Sequence, residues 1–222
     1  GSQFKQGLFS LSSIDFIFLK SESSVNIFLM LLDTMLARMD ASVGNRPNFF
    51  DIESDPLRDF DYLFGVLSVE QGKEAYHSFF AASADKEQEL WLEFVAFIER
   101  HIDCPIYHYG WFEREVVRRF MTRYGISALA KEALEKNMID ILEVLRPAVV
   151  FPLPFYSLKD IAAYLGFHWR ADDASGANSV LWFEEWLKKK QQKLLQKILE
   201  YNEDDVRATH LLQAWLKEHA SL

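Results

Sequence analysis

One cysteine, Cys104, is all the sulfhydryl chemistry the chain carries in 222 residues. Without a second thiol there is no intramolecular disulfide and no cysteine-based zinc site, and the composition fits a reducing cytoplasm. Positive charge is also scarce. Lysine and arginine number 24 against 33 aspartates and glutamates, a formal net charge of -9, with a sequence pI of about 5.2. Such a balance argues against a protein that lives by non-specific attraction to phosphates. It does not exclude nucleic acid, because a metal site supplies positive charge where a strand binds. No apolar run is long enough to span a bilayer; the stretch Asn26 to Leu32 soon meets Asp33, Arg38 and Asp40. No membrane partner is expected. Internal repeats and low-complexity segments are missing as well. An initiator methionine is lacking, and Gly1-Ser2 has the character of a cloning remnant. The chain therefore reads as an excised piece of a larger protein, with other domains of that parent as expected partners.

What is present is apolar mass. Half the residues are hydrophobic, enough for one sizeable core and so for one domain, or one domain plus a flank. Gly44-Asn45-Arg46-Pro47 breaks the pattern and sets the expected boundary. Residues 1–45 form a flank, with a short strand at Ile14 to Leu19 and a helix at Val25 to Met39. That helix is apolar on more than one face, around Phe28, Leu31 and Leu32, and needs a covering surface. Residues 46–222 form the main domain.

Within it, Asn48 to Ile52, Tyr62 to Val69 and Tyr76 to Ala81 read as strands joined by hairpins. Asp85 opens an amphipathic helix to Arg100, with Leu90, Trp91, Phe94, Phe97 and Ile98 on one stripe. A fourth strand, Pro105 to Tyr109, precedes a helix from Phe112 to Tyr124 that Gly125 closes. Ala128 to Leu145 is mostly helical in pattern, with Met138 to Leu142 a strand or a connector. Pro147, Pro152 and Pro154 forbid one helix across that stretch. Ser157 caps a helix to Leu165, Arg170 to Asn178 reads as a loop, and helices at Val180 to Leu187 and Gln192 to His219 finish the chain. Strands first, then a crossover helix and a parallel strand, describe an α/β domain with a mixed sheet covered by helices.

Three acidic features stand out. In Phe49-Phe50-Asp51-Ile52-Glu53, residues two apart on a strand face the same way, so Asp51 and Glu53 set two carboxylates side by side. A divalent cation removes their repulsion, and oxygen-only ligands suit magnesium or manganese. Taken alone, a strand ending in solvent explains the pair as well. In Tyr201-Asn202-Glu203-Asp204-Asp205, the tyrosine and Asp205 are four apart and stack on one helix face. A phenol beside a carboxylate orients a water, but a packed tyrosine in an acidic helix gives the same pattern. Glu113, after His108-Tyr109-Gly110-Trp111-Phe112, opens a helix, where it also complements the dipole.

Together, their order and spacing resemble the tyrosine subclass of the DEDD exonucleases. The motif Asp-x-Glu is Asp51 and Glu53, the second motif spans His108 to Glu113, and Tyr-x-x-x-Asp is Tyr201 and Asp205. Histidine replaces the usual asparagine at 108, and glutamate the usual aspartate at 113. A closer resemblance runs from about Asn48 to Leu216. FFDIESDP, YLFGVL, IYHYGWFE, YSLKDIAAYLGF, SGANSV and YNEDDVRAT are similar to the ribonuclease H-like domain of predicted RecB-family nucleases, the YprB-like group, where glutamate in the second motif is usual.

That resemblance implies a ribonuclease H-like fold with three antiparallel strands followed by parallel ones. It implies 3′→5′ hydrolysis of a DNA or RNA strand with two Mg²⁺ or Mn²⁺ ions. Asp51 would bridge both ions, Glu53 and Asp205 would complete the first site, Glu113 would hold the second, and Tyr201 would orient the attacking water. His108 is a candidate for phosphate contact or for packing, Trp111 for base stacking or for the core, and Ser157 for the strand backbone or an N-cap. Lys159 is a further backbone contact. A structure-selective endonuclease, or a non-catalytic nucleic-acid-binding domain of a repair or helicase protein, are the alternatives.

Overall fold

The computed structural model describes residues 18–19 and 46–220. Strands β2 (Asn48–Asp55), β3 (Phe60–Glu70) and β4 (Lys73–Phe80) come first. A 3-10 turn at Ala84–Lys86 leads into α1 (Glu87–Glu99), and β5 (Ile106–His108) follows. Then come α2 (Phe112–Tyr124), α3 (Ala128–Asn137), β6 (Met138–Asp140) and α4 (Ile141–Ala148). After β7 (Val149–Val150), α5 (Leu158–Tyr164), α6 (Gly176–Lys189) and α7 (Gln192–Ala220) complete the order.

The main sheet has the order β4-β3-β2-β5-β6. β2, β3 and β4 are antiparallel neighbours, whereas β5 and β6 run parallel to β2. This is the expected mixed α/β sheet of a ribonuclease H-like fold. The β3–β4 hairpin turns on two residues, Gln71 and Gly72, both with positive φ. That backbone matches the right-handed twist of the strands it joins. Phe18–Leu19, strand β1, pairs antiparallel with β7, so part of the expected Ile14 to Leu19 strand is described. The expected Val25 to Met39 helix, with Phe28, Leu31 and Leu32, lies outside the described residues.

The central strand is buried on both faces, and alternation decides what each face meets. Phe50 and Ile52 enter one core, where Phe50 stacks on Phe94 of α1 at 4.9 Å and meets Phe64 of β3 edge-on. Phe49 enters the other, against Tyr107 of β5 and His210 of α7. The same period of two sends Asp51 and Glu53 to the side of Phe49, toward α7, which packs across β2, β3 and β5. The register breaks by a bulge between Glu53 and Ser54, after both acids have been set.

Three local outcomes sharpen the sequence reading. Met138 to Asp140 is a strand, and Asp140 then caps α4 by accepting from Leu142 N–H at 2.9 Å. Pro147 falls in the last turn of α4, which ends one residue later. The expected loop from Arg170 to Asn178 is shorter, because Ser175 accepts from Asn178 N–H and starts α6 at Gly176. Among the described residues no helix is long and apolar enough to cross a membrane.

Candidate active site

Asp51 and Glu53 arrive from β2 and Asp205 from the middle of α7. One ligand oxygen from each lies within 4.8 Å of the others. Glu53 and Asp205 are buried and Asp51 is partly buried. Crowding anions in a dry place costs energy, and the titration of the group shows it. Desolvation holds the Asp51 carboxyl well above its usual range, and the charges of Asp205, Glu53 and Glu113 add to the rise. Glu53 is pushed up to about 8, first by burial and then by Asp205. Asp205 rises to about 6 through burial, with Trp169, Lys159 and Tyr201 holding it down.

The neighbours are mostly neutral donors. The Trp169 indole N–H donates to Asp205 Oδ1 at 2.6 Å. The Asn202 amide donates to Asp51 Oδ2 at 2.8 Å. Ser179 and Asn202 both act to lower the Glu53 carboxyl against that rise, and Ser179 is bonded to the Tyr62 hydroxyl at 2.7 Å. Tyr201 is buried one turn before Asp205, and its phenol is held strongly protonated by desolvation and by Asp205. Lys159 is the cation nearest the group. Its Nζ lies 4.5 Å from the Tyr201 ring centre and 5.2 Å from that of Trp169. That Nζ is buried, with no hydrogen-bond partner among the described residues. Burial lowers its pKa while Asp205, Glu53 and Asp51 act to raise it.

Glu113 stands apart from the trio. It is buried at the start of α2, with its Oε2 3.6 Å from His108 Nδ1. His108 is fully buried and bonds the Gly110 carbonyl through Nδ1 at 2.8 Å. Its Nε2 and the Glu113 Oε2 both lack hydrogen-bond partners among the described residues. Burial raises the Glu113 carboxyl, and His108 opposes the rise. Trp111 is 71% exposed, so it is a surface ring and not a core residue. Ser157 caps α5, accepting from Asp160 N–H at 3.1 Å.

Other acids resolve as structural. Asp55 is fully buried, bonded to Leu57 N–H and paired with Arg58. Asp140 accepts from Gly110 N–H at 2.8 Å as well as capping α4. Asp204 is buried and held by Arg170 through its backbone N–H and its Nε, each at 2.8 Å. Arg207 pairs with Glu203 and Glu74, not with Asp204; Glu203 lies a full four residues back, under the same helix face.

Sequence reasoning missed Asn202, Ser179 and Trp169. Asn202 sits inside the third motif but outside its two diagnostic positions. Ser179 lies within SGANSV, a segment already marked by resemblance. Trp169 is brought in by tertiary packing alone, and no spacing points to it.

A mixed sheet whose central strand offers buried carboxylates to a facing helix defines an α/β domain with the potential for nuclease chemistry. The sequence profile of the RNase H superfamily matches residues 48–217, and the chain belongs to that superfamily. The chain matches no curated protein and no solved structure.

Proposed function

We propose that this domain is a metal-dependent nuclease that degrades a DNA or RNA strand from its 3′ end, in the manner of the tyrosine-subclass DEDD exonucleases. The observation that carries the reading is the trio of Asp51, Glu53 and Asp205, with ligand oxygens within 4.8 Å of one another. RNase H superfamily members generally hydrolyse phosphodiester bonds and usually use divalent ions. The donor set fits such ions: oxygen only, desolvated, and short of positive charge. Asp51, Glu53 and Asp205 would hold one Mg²⁺ or Mn²⁺, and Glu113 would serve a second, together with Asp51. Bound there, the ions lower the pKa of water and offset charge on the phosphate.

The chain's own groups supply the rest. Tyr201 keeps its proton, so it orients the attacking water as a donor and does not act as a base. The Lys159 ammonium, without a hydrogen-bond partner, is free to meet a phosphate oxygen. Trp111 offers an exposed ring for stacking on a terminal base. His108 supports Glu113 from behind, and Ser157 acts by fixing the start of the helix that carries Lys159. The resemblance to RecB-family, YprB-like nucleases supports the direction of attack, a cytoplasmic setting and work beside other modules of a parent protein, in DNA repair. One observation favours a second reading, a nucleic-acid-binding domain with weak turnover. Glu113 lies against His108 and outside the trio.

Both readings are separated by incubating 5′-labelled single-stranded DNA and RNA of equal sequence with Mn²⁺, Mg²⁺ or EDTA, beside Asp51→Asn. A metal-dependent ladder shortening from the 3′ end, absent in the variant, is expected. Binding without cleavage of either strand would leave the second reading standing and overturn the first.

A further inference from the structure

Asn202 lies between the motif tyrosine and the motif aspartate and is fully buried. Its amide nitrogen donates to Asp51 Oδ2 at 2.8 Å, and a longer approach of 3.4 Å reaches the Asp51 carbonyl. The same side chain acts to lower the Glu53 carboxyl against its burial. A carboxamide is nearly symmetric in shape, so something must decide which end faces the acids. Here the acids decide it, since an ionised carboxylate only accepts, and Tyr76 complements the choice: its hydroxyl donates to Asn202 Oδ1 at 2.8 Å. The amide oxygen is thereby turned away from Asp51, and the NH₂ toward it.

Room for the amide comes from Gly65, which lies opposite Asp51 in the β2–β3 register. A Cβ at Gly65 would sit 1.5 Å from Asn202 Oδ1 and 2.7 Å from its Cγ. Gly65 has no positive φ among the glycines that show one; what requires glycine here is the close approach of α7 to the strand. Three residues from two strands and a helix therefore converge on one hydrogen bond.

We infer that Asn202 is a positioning residue for the carboxylate trio, complemented by Tyr76 and admitted by Gly65, which fixes the Asp51 and Glu53 side chains in the arrangement that receives a divalent cation. The inference rests on the reading of the trio as a metal site. A neutral donor suits the task. It satisfies lone pairs facing away from the ion, yet carries no charge that would compete with the ion, as a lysine would. Loss of such an outer partner typically weakens metal binding or activity by about 10–100-fold.

The test is calorimetric titration of Mn²⁺ into the wild type, Asn202→Leu, Tyr76→Phe and Leu212→Ala, with strand degradation measured across Mn²⁺ concentration. Leu212 is a buried α7 residue in the core, away from the trio's hydrogen bonds, so its variant controls for lost stability. Asn202→Leu should weaken Mn²⁺ binding by about 10–100-fold. Tyr76→Phe, which keeps the asparagine and leaves its buried amide oxygen without that donor, should weaken it by a smaller factor. In both, activity should recover in part at high Mn²⁺, which a merely structural defect would not allow. Leu212→Ala should bind like the wild type. If Asn202→Leu does not fold, Tyr76→Phe decides. Wild-type binding with unchanged affinity in the folded Asn202 or Tyr76 variant would overturn this inference alone. A wild type that binds no Mn²⁺ would overturn the metal reading, and the inference with it.

Discussion

Two groups of buried acids gather along β2 and have opposite surroundings. At its far end Asp55, with Asp61 of β3 and Glu87 of α1, is almost fully buried, as are those two. Each has an arginine: Arg58 on Asp55, Arg119 on Asp61, and Arg123 on Glu87. Ser54, Tyr124 and the Asp61 N–H fill remaining lone pairs. A few residues away, Asp51, Glu53 and Asp205 gather with neutral donors and no arginine partner among the described residues. Only Lys159 stands near, and it makes no hydrogen bond to them. The first group is neutral as built. The second is short of positive charge and has every pKa driven upward. Asp204 and Asp205 repeat the contrast at adjacent positions, one gripped by Arg170 and the other left to an indole. The acids of the first group are balanced by their own guanidinium partners, whereas the trio is left short of positive charge.

Removing one charge from each group should therefore have opposite effects on stability. Asp51→Asn is expected to lower degradation by at least about 10³-fold, because it removes a metal ligand. Apo stability should be unchanged or higher, because the change relieves repulsion in the trio. Arg119→Ala leaves Asp61 buried and short of its partner. It should cost on the order of 2 kcal/mol, discounted because the arginine is a third exposed, with specific activity kept. Activity assays and urea unfolding of both variants check the pair; equal stability losses would erase the contrast. Tyr201→Phe should come next, with a loss of about 10²-fold in kcat and native metal binding, if the phenol orients water and is not a ligand. The smallest effect is expected for Arg207→Ala, which breaks half-exposed pairs to Glu74 and Glu203 and should cost under about 1 kcal/mol.

The acids of the candidate site are legible in the sequence, but the contrast with the arginine-paired group is not. The period of two in Phe49-Phe50-Asp51-Ile52-Glu53 places both acids on one face, and the four-residue step from Tyr201 to Asp205 places phenol and carboxylate together. Both patterns are local, and local geometry made them readable. The mixed sheet followed from the order of elements, whereas the strand order, and Met138 to Asp140 as a strand beside β5, come from the fold. What sequence could not yield were partners set by long-range packing. Arg58 is three residues from Asp55 in sequence, but Arg119 reaches Asp61 and Arg170 reaches Asp204 only through the fold. Trp111 shows the converse error, since hydrophobicity suggested the core while the helix start leaves its ring outside. The role of Glu113 came from the family resemblance; the fold sets it against His108, five residues back on β5, while its charge still acts on Asp51.

The most direct measurement is the thermal midpoint of the wild type with and without Mn²⁺, at pH 5.5 and at pH 8. Glu53 and Asp205 have folded pKa values above their unfolded ones, so the folded state binds more protons between those values. Their contribution is fully present below about pH 4 and is lost as pH rises, through about 6 for Asp205 and about 8 for Glu53. The apo midpoint should therefore fall from pH 5.5 to pH 8. Mn²⁺ should raise it, and raise it more at pH 8, where the ion competes with fewer protons for the carboxylates. A midpoint indifferent to Mn²⁺ at pH 8 would contradict the claim that this trio is built to receive a cation.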